Sequence, residues 1–288
     1  MAWIRNVVRW RSLLAVLLTA FLPIGGVGAE EAPRAGSLVI CGGGGLPDSV
    51  RARFVELAGG AQARIVVVPT ASEDADATGP ELDEFLEPWR KQGVASVKLL
   101  HTRSRTMAEE AGFVGQVDQA DGVWFSGGDQ SRITDAYLGT ATEAAFRRLL
   151  DRGGVIGGTS AGAAVMSRVM ITGGAEKATL GTGFGFLPIP VVVDQHALRR
   201  SRINRLLGVL GERPDLTAGV AIDEGTALIV DLAGKTFRVA GESYVVVCRP
   251  ARSAEAPSVA LQIDVFHDGQ RGELGSLEAG PRDAEGDR

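Results

Sequence analysis

Between Gly153 and Ser167 the chain reads GGVIGGTSAGAAVMS. One serine, Ser160, sits between an apolar run and an alanine-rich stretch able to begin a helix, with Gly158, Ala161 and Gly162 close around it. The order G-x-S-x-G is that of a nucleophile elbow, a serine held on a sharp strand-to-helix turn where neighbouring side chains would collide. A helix starting there aims free N–H groups at the oxygen that turns negative when a carbonyl is attacked, which makes the Ala161 N–H the first oxyanion donor.

A serine at neutral pH needs a base, and the chain has three histidines. His267 borders a polar tail, and His101 ends an apolar run well before Ser160. His196 follows VVVDQ at the end of another apolar run, from which a side chain reaches the same cleft, so His196 is the candidate general base. The base in turn needs a carboxylate to fix its tautomer. Asp223, Glu224 and Asp194 all stand near enough in sequence, and local physics does not choose among them.

Three further segments bear on chemistry. In FSGGDQSRI (125–133), Gly127 and Gly128 let backbone N–H groups approach a substrate, and Gly128 is the second candidate oxyanion donor. Asp129 and Gln130 could hold polar substrate groups, or Asp129 simply caps the helix. CGGGGLPDS (41–49) lacks the G-K-[ST] ending of a phosphate loop and has Asp48 in the third glycine place of G-x-G-x-x-G, so it predicts a tight loop lining the cleft and no bound nucleotide. Arg199, Arg200, Arg202 and Arg205 crowd one segment, with Arg202 and Arg205 on one helical face. Directly after the candidate base they point to a substrate that carries a carboxylate.

These residues need a frame. The runs 37–41, 64–69, 94–100, 122–126, 154–158 and 189–193 read as buried strands. Between them, 47–59, 81–93 and 133–153 have helical spacing, as does 197–210 after the last, and such alternation predicts an α/β fold: a mostly parallel sheet with helices on both faces. After Pro214, closely spaced strands with glycine turns predict antiparallel strands at one edge. In such a sheet ligands bind beyond the carboxyl ends of the strands, where Ser160 and His196 both fall.

Composition sets the outer limits. Of 288 residues, 45% are hydrophobic and 23% charged, the balance of a globular protein, with a net charge of −5. Residues 1–29 hold Arg5, Arg9 and Arg11 ahead of the apolar run 13–22 and end in small residues, the pattern of a signal peptide cut near Ala29 and hence of export to periplasm or exterior. Without them the remainder is more acidic still, which disfavours nucleic acid and anionic lipid as partners. The organisation expected is a signal peptide (1–29), one hydrolase domain (30–266) and a disordered tail (267–288), polar and rich in glycine. Cys41 and Cys248 could pair in an exported protein or remain buried thiols. Two cysteines and three histidines, widely spaced, give no metal-ligand pattern, and no cofactor is implied.

Taken jointly, VVPTAS (67–72), FSGGDQSRI (125–133), GGTSAGAAVMS (157–167), GFGFLPIPVVVDQH (183–196), RSRINRLL (200–207) and IDEGTALIV (222–230) resemble the cyanophycinase family of serine peptidases, relatives of the aspartyl dipeptidases within the class I glutamine amidotransferase-like fold. The resemblance implies hydrolysis of cyanophycin, a polyaspartate bearing arginine on its side chains, to β-aspartyl-arginine. It implies Ser160 as nucleophile, His196 as base and Glu224 as the orienting carboxylate, and substrate contacts from Gln130, Asp194, Gln195, Arg200, Arg202 and Arg205, with Asp194 meeting a cationic side chain. It also implies a homodimer, although no interface is legible in the sequence. Ala197 stands where the family carries an aromatic, and Asn204 and Gly225 also depart from its pattern; Ala197 is expected to widen a pocket wall and to shift the substrate toward other aspartyl or isoaspartyl peptides. Two rival readings stand beside this one: an esterase-type order ending in His267, and a non-catalytic binding protein on the same scaffold.

Overall fold

The structure is a computed structural model and describes residues 36–251 and 260–277. The expected signal peptide lies outside the described residues, as does the tail beyond Leu277. In chain order the elements are β1 (Ser37–Cys41), α1 (Asp48–Leu57), β2 (Arg64–Val68), α2 (Asp83–Arg90), β3 (Ser96–Leu99), α3 (Arg105–Ala108), α4 (Ala111–Asp118), β4 (Gly122–Phe125), α5 (Gln130–Tyr137), α6 (Ala141–Asp151), β5 (Val155–Thr159) and α7 (Ala161–Ala164). The second half runs β6 (Val169–Gly173), β7 (Thr179–Thr182), β8 (Val191–Gln195), α8 (Ile203–Glu212), β9 (Ala218–Ile222), β10 (Thr226–Asp231), β11 (Thr236–Gly241), β12 (Val245–Ala251), β13 (Ala260–Phe266) and β14 (Arg271–Glu273).

The first five strands are largely apolar runs without alternation, as strands covered on both faces must be, except β3 (SVKL), which lies at the sheet edge and is only part-buried. They lie parallel in an eight-stranded sheet of order β14-β11-β10-β1-β5-β4-β2-β3, with the antiparallel β10, β11 and β14 at one edge; β10 and β11 are there as the sequence predicts, whereas β14 falls in the expected tail and the other strands predicted for this edge, β9, β12 and β13, enter a second sheet. The 189–193 run does not join the first sheet either. As β8 it lies between β6 and β9 in the second sheet, of order β13-β12-β9-β8-β6-β7, with β6, β8 and β9 mutually parallel. The two sheets share one apolar core, which includes Leu38 and Ile40 of β1 and Val191 and Val193 of β8.

Three local expectations are corrected. The long helix over 133–153 is two helices, because Thr140 caps α6 and the Glu143 carboxylate accepts the Gly139 N–H at 2.6 Å, closing a capping arrangement at the break. The helix over 197–210 starts only at Ile203. The Leu198 and Arg199 N–H groups are bound instead by the Asp223 carboxylate, at 3.1 and 2.8 Å, and Ser201 has a positive φ. The tail read as disordered from residue 267 continues as structure to Leu277. There Gly272 pairs with Phe237, and Leu274 and Leu277 are buried, so two leucines anchor an otherwise polar stretch.

Candidate active site

Ser160 leaves the carboxyl end of β5 with φ 53° and ψ −108°. Among the described residues only four non-glycines have positive φ, and two of them are Ser160 and His196, the pattern of strain held at a functional site. The small residues of the elbow are explained by contact. A Cβ on Gly158 would lie 2.6 Å from the Gly162 backbone, and one on Gly162 would lie 2.4 Å from the Phe125 carbonyl. The helix behind the serine, α7, is a single buried turn, so its help to an oxyanion is local N–H groups more than a long dipole. Gly127 and Gly128, beyond the end of β4, close on Ser160 from the side; a Cβ on Gly127 would come within 3.5 Å of the serine Cβ.

The second sheet supplies the rest. In the parallel pair β8–β9, Gln195 is in register with Ile222, so the residues that follow, His196 and then Asp223 and Glu224, emerge side by side. Ser160 Oγ lies 2.8 Å from His196 Nε2, and His196 Nδ1 lies 2.5 Å from Glu224 Oε1. The choice among three carboxylates is thereby resolved in geometry. Asp223 takes the turn after His196 and the Ser243 hydroxyl at 2.8 Å, and Asp194 takes Arg205. Burial lowers the His196 pKa from its ordinary value, the charges of Arg200 and Arg202 push the same way, and the hydrogen bond to Glu224 opposes them. Such an imidazole is neutral at neutral pH. With Nδ1–H directed to Glu224, its Nε2 is free to accept the serine proton.

The other histidines are not at the serine. His101 faces Thr70 Oγ1 at 3.0 Å and Asp76 Oδ1 at 2.9 Å, and His267 turns to the Asp268 carbonyl at 3.0 Å, which removes the geometric basis for an order ending in His267. Cys41 and Cys248 are buried free thiols in different sheets. Among the described residues no group of three or more His, Cys, Asp or Glu side chains is placed to hold a metal ion, and no helix is long and apolar enough to cross a membrane.

A cleft of ≈420 Å³ opens at Ser160, lined on one side by Gly128 and Gln130 and on another by Gln195, Arg200, Arg202 and Arg205. Among the described residues no carboxylate lines it. Gln130 spends its amide nitrogen on the Ile171 and Thr172 carbonyls, at 2.7 and 3.0 Å, and Asp129 proves to be the cap of α5, accepting the Ser131 N–H at 2.8 Å. Arg202 donates to Gln195 Oε1 at 2.6 Å. Asp194 departs from its expected role. It is 1% exposed and outside the lining, and it is paired two-pronged with Arg205 at 2.8 and 2.5 Å, so it holds an arginine of the cleft wall and does not face a cation of the substrate. Ala197 is likewise no wall residue, being fully buried in the apolar cluster under α8 with Val192 and Leu206. The sequence reading passed over the opposite wall, Thr172 to Ala175 at the turn of the β6–β7 hairpin; the Gly-Gly pair at 173–174 was the signal available for it.

Elbow serine, histidine and carboxylate in a hydrogen-bonded line, at the carboxyl ends of parallel strands, define a serine-type hydrolase. The chain belongs to peptidase family S51, whose family model matches residues 38–239. Over 220 residues it is 37% identical to a cyanophycinase from Synechococcus elongatus, covering 72% of this chain and 66% of that one, just under two thirds of the relative's length. Over 234 residues it is 32% identical to a cyanophycinase from a Nostoc species, covering 76% and 75% of the two chains. Among solved structures, a peptidase from an acI-B1 Actinobacterium shares the fold with a TM-score of 0.66 at 22% identity, over 84% of this chain and 98% of that one.

Proposed function

We propose that this protein is an exported cyanophycinase, which cuts the aspartyl backbone of its polymer through an acyl-enzyme. The observation that carries the reading is the line Ser160–His196–Glu224 opening directly into a cleft walled by three arginines. Ser160 Oγ attacks the scissile carbonyl as His196 Nε2 takes its proton. Glu224 holds the imidazolium that results. The Gly128 and Ala161 N–H groups receive the oxyanion, His196 returns the proton to the leaving amine, and water repeats the sequence to free the acyl group. Arg200, Arg202 and Arg205 suit the carboxylates of an aspartyl chain. The leader-like residues 1–29 support export, and the relatives named cyanophycinase support the polymer as substrate.

The test is digestion of insoluble cyanophycin by the purified protein, with mass spectrometry of the soluble products. β-Aspartyl-arginine released by the wild type and not by Ser160→Ala is the expected result. No release, with Ser160 still labelled by a fluorophosphonate, replaces the polymer with small aspartyl peptides; no labelling at all leaves a binding protein.

The pH dependence follows from the base. Only neutral His196 can accept the serine proton, so kcat/KM is expected to fall toward acid with an apparent pKa below 6.5, the unperturbed value. Arg200 is among the charges that disfavour protonation, and its side chain is about half exposed. Arg200→Ala is therefore expected to move the acid limb toward higher pH. A pH profile of the variant whose limb stays put or moves the other way contradicts this assignment.

A further inference from the structure

The end of β1 and the glycine run after it have no part in the chemistry above, yet together they touch every member of the line. Three successive carbonyls hold three backbones: Cys41 O accepts the Ser160 N–H at 3.0 Å, Gly42 O accepts the His196 N–H at 2.7 Å, and Gly43 O accepts the N–H of Gly225, next to Glu224, at 2.9 Å. Ser160 follows β5 of the first sheet, His196 follows β8 of the second, and Glu224 lies in the turn from β9 of the second sheet to β10 of the first. The segment Cys41–Gly44 is thus a common reference for groups carried by different sheets.

The space beside these glycines is graded. A Cβ on Gly43 would lie 2.2, 2.5 and 2.8 Å from Cε1, Nε2 and Nδ1 of His196, in the body of the ring. A Cβ on Gly44 would lie 2.9 Å from both Cβ and Oε2 of Glu224. A Cβ on Gly45 meets nothing within 4 Å. Both Gly43 and Gly44 also have positive φ, at 107° and 69°. Backbone strain alone could account for a glycine at either place, but it does not account for the imidazole lying against the Gly43 Cα.

We infer that Gly43 and Gly44 are positioning residues for the hydrolytic line, the bare Gly43 Cα forming the surface that sets the His196 ring between Ser160 and Glu224. The inference rests on the serine-hydrolase reading above and concerns its registration. A displacement of the base by about 1 Å costs on the order of 100-fold in rate. Gly43→Ala is expected to lower the rate constant of Ser160 labelling by a fluorophosphonate about 100-fold. It is also expected to abolish the downfield proton resonance of the Nδ1–H···Glu224 hydrogen bond, while Gly45→Ala leaves both as in wild type.

A double-mutant cycle separates this from simple strain. If the conflict is with the ring, removing the ring removes it, whereas the backbone cost of a positive φ persists. The drop in melting temperature caused by Gly43→Ala is therefore expected to be about 5 °C smaller in a His196→Ala background. Equal drops in the two backgrounds overturn the inference, and so does a double variant that fails to fold alongside Gly43→Ala. Wild-type labelling kinetics in Gly43→Ala overturn it while leaving the hydrolase intact. A wild type that never labels removes the hydrolase reading instead, and the thermal cycle still judges the geometry on its own.

Discussion

Ser160→Ala is expected to lower turnover about a million-fold, with His196→Ala close behind and the double variant little worse than either. In the mechanism proposed the three groups act as a unit, in which the proton leaves Oγ only as Nε2 receives it across 2.8 Å, so removing either end removes the whole step. Glu224→Ala is expected to cost less, on the order of ten-thousand-fold, because the imidazole remains and only its tautomer and orientation are lost. Steady-state assays on purified variants check this order; a Glu224→Ala loss equal to that of Ser160→Ala contradicts it. Thermal melts supply the control. Ser160 sits at φ 53°, a conformation costly for any side chain and cheap for glycine. Ser160→Ala keeps the Cβ and the strain, so its melting temperature should match that of wild type. Ser160→Gly should be as inactive yet melt about 2–4 °C higher. A lower melting temperature for Ser160→Gly means that the elbow is not strained.

What the sequence exposed were the parts that announce themselves locally. The elbow is legible because its small residues are clustered in one short segment, as Gly158 is against Gly162, even though Gly162 answers Phe125 on a neighbouring strand. The parallel strands are legible because burial on both faces leaves an unbroken apolar run. The second sheet was not, since its edge hairpin, β6–β7, is short and interrupted by Gly173 and Gly174, and nothing in VVVDQH says which of two sheets will accept it. The carboxylate partner of His196 needed either the family resemblance or the β8–β9 register, a pairing between segments 28 residues apart. The structured end of the tail was hidden for the opposite reason, two buried leucines being too few to raise the mean apolarity of a stretch rich in glycine and charge. The pairing of Asp194 is not legible locally, because it depends on a partner eleven positions away, on a different element.

That partner gives the second large effect. Asp194 and Arg205 are 1% and 3% exposed in their side chains, and the carboxylate takes both Nε and Nη2 of the guanidinium, at 2.8 and 2.5 Å. Asp194 Oδ1 also accepts the Gln195 N–H at 2.8 Å, and Arg205 Nη1 reaches the Gly174 carbonyl at 2.5 Å. The ion pair thus ties the end of β8 to α8 and to the turn of the β6–β7 hairpin. Removing only the carboxylate strands a cation that has lost its water, which costs more than the pair contributes. Asp194→Ala is therefore expected to lose about 3 kcal/mol, the low end for a buried pair because Arg205 borders the cleft and water can reach it. At this chain size that is a fall of roughly 6–12 °C in melting temperature. Replacing both, as Asp194→Leu with Arg205→Met, should recover most of the loss, since two apolar side chains need no partner. Activity should not recover with it. The arginine also borders the proposed substrate cleft, so the stable double variant is expected to show a raised KM for an aspartyl substrate, with kcat much less affected. Melting curves and steady-state kinetics on the same preparations decide the matter. A double variant with a wild-type KM makes the pair a strut alone, and one that stays as unstable as Asp194→Ala means that the buried charge was not what the single substitution exposed.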